Sequence, residues 1–325
     1  MNDLGSSLRL LADAAGIAEA ARFLGSGCTV AFPTETVYGL GADASDPVAV
    51  ARIYAAKERP RFNPLIAHVA EFASAQAQGV FDDAALALAK AFWPGPLTLV
   101  VPAGPNCTVC DLARAGLASV ALRVPDNAVA RDLLARVGRP VAAPSANRSG
   151  RVSPTCAAHV LADLDGRISA VLDGGTAPVG VESTVVACLG GPPRLLRPGG
   201  VTRAALERVL GYHLAGADPG TAPVPIGPGL LASHYAPRAR VRLHAVSAAP
   251  DEAVLAFGGI PETVEVLARL DLSPAGDLAE AAANLFSALR SLDASGAASI
   301  AVASIPETGL GEAINDRLRR AAAPR

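Results

Sequence analysis

Short apolar runs bounded by glycine, proline and hydroxyl residues alternate along the chain with longer stretches whose apolar positions recur every three or four residues. Asp13 to Ser26 reads as a helix feeding a β-prone run from Thr29 to Phe32, which Pro33 ends. Asp46 followed by Pro47 has the character of an N-cap and a first helical position. Val48, Val50, Ile53 and Tyr54 then carry that helix on to Lys57. Further strands are expected from Leu65 to Val69, Leu97 to Val101, Ser119 to Val124, Val141 to Ala143, Ile168 to Leu172 and Ser183 to Ala187. Helices are expected from Asp82 to Phe92 and Asn127 to Val137, and Ser153 reads as the cap of another. In the last quarter the pattern predicts strands from Val241 to His244, Ala253 to Phe257 and Ser299 to Ala303, with a helix from Asp277 to Leu292. Several strands follow one another without a helix between them, so the fold class is α/β with a mixed sheet rather than a βαβ repeat.

Composition adds the scale. The chain has 325 residues, 51% hydrophobic and 18% charged, enough for two globular domains with their own cores. Aromatics are 4%, so those cores must be packed mainly by Ala, Val and Leu. Prolines 223, 225, 228 and 237 stiffen a segment between the two. The expected division is a first domain over residues 1–212, a linker over 213–238 and a C-terminal domain over 239–325. A net charge of -2 provides no broad basic field for nucleic acid. The N-terminus lacks the pattern of a signal peptide, and no apolar run is long enough for a bilayer, so a cytoplasmic protein with no membrane contact is expected. Of the five cysteines, Cys107 and Cys110 have the spacing of half a zinc site or a redox pair. No second close pair completes it, and ordinary reduced thiols are the expectation.

The candidate chemistry clusters at strand and helix ends. Thr34, Glu35, Thr36 and Tyr38 crowd the turn after the first strand, and Lys57 and Arg59 leave the C-terminus of the next helix together. Arg123 sits in an otherwise apolar strand, where a buried guanidinium needs an anionic partner. Ser145 and Asn147, then Glu182, Ser183 and Thr184, and finally Arg197 add hydroxyl, amide and cationic groups at further strand ends. Together they suggest a cleft for a polyanion and a small zwitterion, Arg offering a planar fork and Lys a mobile point charge. Gly39 and Gly41 open no dinucleotide fingerprint, and no P-loop sequence occurs.

The segments PTETVYGLG (33–41), KERPRFNPL (57–65), LRVP (122–125), APSANRSG (143–150), SPT (153–155), GVESTVV (180–186) and LLRPG (195–199) resemble the YrdC-type domain of threonylcarbamoyl-AMP synthases. Lys57/Arg59 and Ser145/Asn147 match that family's K-x-R and S-x-N signatures. PGLLASHYAP (228–237), NLFSALRSLD (284–293) and AINDRLRRAA (313–322) are similar to the linker and C-terminal domain of its longer, two-domain Sua5 type. The resemblance implies a YrdC-like twisted mixed sheet with a large cavity, plus a smaller Rossmann-like Sua5 domain. It implies an enzyme that joins L-threonine, bicarbonate or CO2, and ATP into threonylcarbamoyl-AMP with release of pyrophosphate. A downstream tRNA threonylcarbamoyl transferase would use that product, with a weak tRNA contact on this chain. By position, ATP would fall to Lys57, Arg59, Asn63, Ser145, Asn147, Ser153, Arg197 and Tyr235, with Lys57 and Arg59 holding the reacting phosphates. Threonine would fall to Thr34, Thr36, His68, Arg123 and Ser183, His68 being either a base or a hydrogen-bond partner. Mg2+ would be held mainly by the ATP phosphates, since no acidic cluster marks a protein metal site.

Physical reasoning agrees with this in kind. A guanidinium on the threonine carboxylate leaves the amine free to attack, and Arg123 suits that task. Glu35 and Glu182 read as acceptors that hold turns, and His234 with Tyr235 reads as part of a lid over the site. Two alternatives remain at this level. A non-catalytic RNA-binding module would need a basic surface extending beyond the cleft. A carbamoyl-transfer protein of hydrogenase maturation would carry an acylphosphatase-like domain and zinc-finger cysteines, which this chain lacks.

Overall fold

The computed structural model describes residues 5–60, 62–216, 235–259 and 265–324. Most of the linker, including His234 and the prolines at 223, 225 and 228, lies outside the described residues, and so does the lid that it was expected to form.

The chain begins with β1 (Leu8–Leu11), α1 (Ala14–Gly25), β2 (Val30–Phe32), β3 (Gly39–Asp43), α2 (Pro47–Lys57), β4 (Ile66–His68), α3 (Phe72–Gln76) and α4 (Asp83–Phe92). It continues through β5 (Leu97–Pro102), α5 (Asp111–Arg114), β6 (Ser119–Arg123), α6 (Ala128–Val137), β7 (Val141–Ala142), α7 (Ala157–Leu164) and β8 (Ala170–Asp173). β9 (Thr184–Ala187), β10 (Arg194–Arg197), α8 (Arg203–Leu210) and β11 (Ala215–Gly216) complete the first unit. The second consists of β12 (Arg240–Arg242), β13 (Ala253–Ala256), β14 (Ala268–Asp271), α9 (Leu278–Ala294), β15 (Ser299–Val302) and α10 (Gly311–Ala322).

The first eleven strands form one mixed sheet in the order β1-β8-β2-β3-β7-β4-β6-β5-β9-β10-β11. The last four form a parallel sheet, β12-β15-β13-β14. The architecture is therefore two-domain α/β, a mixed-sheet domain and a smaller parallel one. No helix among the described residues is long and apolar enough to cross a membrane.

Local sequence explains several boundaries. The Asp46 carboxylate accepts from Val48 N, and Pro47 occupies the first helical position of α2, where its missing N–H is no loss. Glu58 closes α2 at φ 54, a left-handed conformation that costs a non-glycine residue about 1 kcal/mol. Its carboxylate is held there by Arg148 and Arg167. β3 was not expected from its glycines, which weaken strands. A Cβ on Gly41 would lie 2.9 Å from the Phe32 ring and 3.0 Å from Val141, so close packing on both sides demands glycine.

One expectation is corrected. Ser153 does not cap a helix: α7 begins at Ala157 with Cys156 at the cap position, and the Ser153 hydroxyl donates to Glu182 Oε1 at 2.5 Å. The cause is Pro154, which disfavours helical backbone at Ser153 and whose carbonyl accepts from Tyr38 N, drawing the segment onto the turn after β2.

The main core is Ala-, Val- and Leu-rich and lies under the large sheet. The core of the second unit, around Leu285, Phe286 and Leu289, also takes in Val37, Val152 and Val181 of the first, together with Tyr235. Gly180, at φ 75, makes that approach possible, because a Cβ there would stand 2.3 Å from the Ala282 carbonyl oxygen of α9.

Candidate active site

The turn after β2 is built on Thr34. Its hydroxyl accepts from Thr36 N and Val37 N, donates to the Val37 carbonyl at 2.6 Å and lies 2.8 Å from the Thr36 hydroxyl. Backbone bonds then fix this turn to the 143–147 loop, with Leu40 N donating to the Pro144 carbonyl and Ala146 N to the Tyr38 carbonyl. Between them lies a cleft lined by Thr34, Thr36, Arg59, His68, Arg123, Ser145, Glu182, Ser183, Arg197 and Tyr235 among others.

Strand register does much of this assembly. β4 and β6 run parallel with His68 opposite Arg123, so both side chains leave the sheet on one face at one level. Arg123 Nη2 lies 2.8 Å from Glu35 Oε1, a buried pair. The contact has ion-pair distance without hydrogen-bond alignment, so it leaves Arg123 Nε and Nη2 and both Glu35 oxygens without a hydrogen bond. Burial, then the nearby Arg123 charge, pull His68 down to about 3, so the ring is neutral at ordinary pH. Its Nδ1 sits 3.2 Å from the Ile66 carbonyl, and the Val141 backbone also bonds the ring.

Arg197 closes β10 and donates through Nε and Nη2 to the Ser183 carbonyl at 3.2 and 2.9 Å, and through Nη2 to the Ser183 hydroxyl at 3.2 Å. Burial and the neighbouring Arg317 lower its pKa. Arg59 makes one long contact, to the Pro64 carbonyl at 3.4 Å, and its Nε has no partner. Burial pulls it down to about 10, still cationic near neutrality. Among the described residues neither Arg59 nor Arg197 has a carboxylate at ion-pair distance.

Four expected site residues stand behind the wall rather than in it. Lys57 and Arg59 lie near enough for their charges to interact, but only Arg59 lines the cleft: Lys57 is 1% exposed, and its ammonium donates to the Ser145 and Asn147 carbonyls, each at 2.5 Å. Burial and the Arg59 charge hold its pKa well below the usual range. Asn147 Nδ2 donates to the Arg148 and Arg151 carbonyls, and its Oδ1 has no partner. Asn63 is buried beside the cleft-lining Pro64 with neither amide atom hydrogen-bonded, while the Tyr54 hydroxyl donates to its carbonyl. Ser153, as described, holds Glu182.

Tyr235 links the two cores. It is 1% exposed, lines the cleft and stacks on Phe286 at a centroid distance of 5.5 Å. Sequence reasoning missed Thr98, whose hydroxyl lies 2.7 Å from that of Ser183. Its signal was a lone hydroxyl inside the apolar run LTLVV. No cluster of three or more His, Cys, Asp or Glu side chains suited to a metal occurs among the described residues.

A family model covering Sua5, YciO and YrdC proteins, described as "Telomere recombination", matches residues 22–199. A second, described as "Threonylcarbamoyl-AMP synthase, C-terminal domain", matches residues 201–323. A threonylcarbamoyl-AMP synthase of Bacillus subtilis is 42% identical over 324 residues, covering 95% of this chain and 93% of the relative. One of Pyrococcus abyssi is 43% identical over 320 residues, covering 93% and 92%. The crystal structure of P. abyssi Sua5 complexed with L-threonine superposes with a TM-score of 0.87, at 38% identity over 97% of each chain. The chain therefore belongs to the Sua5/YrdC family of threonylcarbamoyl-AMP synthases, in its two-domain form.

Proposed function

We propose that the cleft binds ATP through Arg59 and Arg197 and L-threonine through Arg123, Thr36 and Ser183. The enzyme is an L-threonylcarbamoyladenylate synthase acting on L-threonine, bicarbonate and ATP in the pathway to N6-threonylcarbamoyladenosine in tRNA. The observation that supports the assignment most directly is the pair of cleft guanidiniums that have no carboxylate at ion-pair distance among the described residues. Arg197 is buried and Arg59 half-buried, and cations so placed without an anion await one from solution.

In this reading the threonine carboxylate meets Arg123, which frees the amine to attack CO2 or a bicarbonate-derived electrophile. The carbamate oxygen then attacks the α-phosphorus of ATP and pyrophosphate leaves. Such a step depends on in-line placement and on neutralising charge that builds on the phosphates, which Arg59 and Arg197 supply. A neutral His68 serves threonine as a hydrogen-bond partner, since a ring titrating near 3 is a poor base at neutral pH. Lys57 stiffens the Ser145–Asn147 turn from behind, where both Asn63 amide atoms and Asn147 Oδ1 have no hydrogen bond. Glu182 and Glu35 each lie at ion-pair distance from an arginine, and no acidic cluster suited to a metal occurs among the described residues, so magnesium would be held mainly by the ATP phosphates as part of the substrate. The product passes to a tRNA threonylcarbamoyl transferase, and the five free cysteines suit a reducing cytoplasm.

Purified protein incubated with ATP, L-threonine and bicarbonate should form the adenylate and pyrophosphate, read by mass spectrometry, and omission of any one component should abolish both. Pyrophosphate release that does not depend on threonine would overturn the reading.

A further inference from the structure

Among the described residues, none of those lining the cleft lies beyond Tyr235, yet helix α10 buries a complete guanidinium against the outside of the cleft wall. Arg317 is 0% exposed. Its Nε donates to Glu182 Oε2 at 2.8 Å, and its Nη1 donates to the Pro198 carbonyl at 2.9 Å and to Asp316 Oδ2 at 2.7 Å. Its guanidinium carbon stands 5.3 Å from the centre of the Tyr235 ring. Glu182 and Tyr235 line the cleft, and Pro198 directly follows Arg197. The two Glu182 oxygens are thus divided between the domains, Oε1 accepting from Ser153 and Oε2 from Arg317.

We infer that Arg317 is a positioning residue which the C-terminal domain supplies to the active site: by holding the Glu182 carboxylate and the Pro198 carbonyl it sets the two turns that present Ser183 and Arg197. This rests on the function proposed above and adds a task for the second domain that goes beyond packing. The contacts of Arg290 provide the contrast. From α9 it donates to the Val152 carbonyl and to Asp163 Oδ2, bridging the same two domains without touching a residue that lines the cleft.

The charges around Glu182 give the idea a second readout. Arg317 of α10, Arg197 of β10, the Tyr235 phenol and, through the wall, Lys57 all act on it, with Asp316 beside Arg317. Burial pushes the Glu182 carboxyl up, but Arg317 and then Arg197 outweigh it and leave the group below the usual carboxylate range. Removing Arg317 should therefore raise the Glu182 pKa and bring an acid limb of activity toward neutrality.

The test uses the full chain and compares Arg317→Met, Arg317→Lys, Glu182→Gln, the Arg317→Met/Glu182→Gln double variant and Arg290→Met. The readouts are kcat and KM for ATP and for threonine from pH 6 to 9, with Tm alongside. Arg317→Met is expected to lower kcat/KM by about 30-fold or more and to sharpen the acid limb, as for loss of a charge partner. Arg317→Lys should recover part of that loss. Arg290→Met should lower Tm while leaving kcat/KM within about threefold, because it removes interface contacts only. The effects of Arg317→Met and Glu182→Gln should fall well short of multiplying. Should Arg317→Met not fold, Arg317→Lys and Glu182→Gln, which keep the interface volume, carry the comparison. Full kcat/KM with an unmoved pH profile in Arg317→Lys and Glu182→Gln, or fully multiplicative effects in the double variant, would overturn the inference. A wild-type chain that makes no adenylate would instead overturn the underlying function.

Discussion

In the cleft, Arg59 and Arg197 have no carboxylate at ion-pair distance among the described residues. Where the two domains meet, by contrast, Arg317 has Glu182 and Asp316, Arg290 has Asp163, and Arg203 has Glu312. A buried cation without a partner is destabilising, whereas pairing with a carboxylate offsets much of the desolvation, even though Arg317 Nη2 and Arg290 Nε stay without a hydrogen bond. In the proposed function the unpaired set is the one that receives the phosphates. The paired set joins the two domains. Arg123 lies between these cases, since it has Glu35 at 2.8 Å but lacks hydrogen-bond alignment, so a substrate carboxylate can compete for it.

The sharpest way to break this contrast is Arg59→Ala. If the unpaired cations serve ATP, adenylate formation should fall by about 100-fold, roughly 3 kcal/mol of transition-state stabilisation, with Tm unchanged or slightly raised. Near-normal turnover at limiting ATP would remove Arg59 from the phosphate site.

A pH experiment comes next in size and tests the cleft from the side of stability. His68 titrates near 3 in the folded chain and near 6.5 unfolded, so below pH 6.5 the unfolded state takes up a proton that the native state refuses. Stability from this group is complete above pH 6.5 and is lost as pH falls toward 3, at about 1.4 kcal/mol per unit, or about 2 kcal/mol between pH 6.5 and 5. His159, lowered to about 4 by burial, acts with the same sign in the same window. The measurement is therefore the difference between wild type and His68→Asn in urea unfolding at pH 7 and pH 5. Parallel losses in the two proteins would refute a buried neutral His68.

At the interface, Arg290→Met should cost about 2 kcal/mol of stability, seen as a lower urea midpoint, because Asp163 keeps Arg151 as its second partner. A loss of activity larger than the loss of folded protein would contradict the division between site and scaffold. The smallest effect concerns selectivity. Ser183→Ala should narrow the preference for threonine over 2-aminobutyrate by about tenfold, read as the ratio of kcat/KM values. An unchanged ratio would show that another hydroxyl, such as that of Thr36, reads the substrate.

The chain itself determined the elements and most of the membership of the cleft. Period-two and period-three-to-four patterns located β2, α2, β4, β6 and α9, and Asp46-Pro47 located a helix start, because those signals depend on neighbours a few residues away. Placing Arg123 in an apolar strand and Arg197 at a strand end was enough to expect charged groups converging on one site. Only the tertiary structure decided what each group faces. Lys57 and Arg59 are two residues apart, yet the left-handed Glu58 between them separates a cation committed to carbonyls from one left without a carboxylate. β3 was hidden because its glycines lower strand propensity, and their reason appears only once Phe32 and Val141 close in on Gly41. Ser153 had the local look of a cap, but its partner, Glu182, is 29 residues away, and the partner of Glu182 in turn, Arg317, is 135 residues further on. Pairings over such separations depend on loop closure and packing of whole domains, which no local pattern of residues encodes.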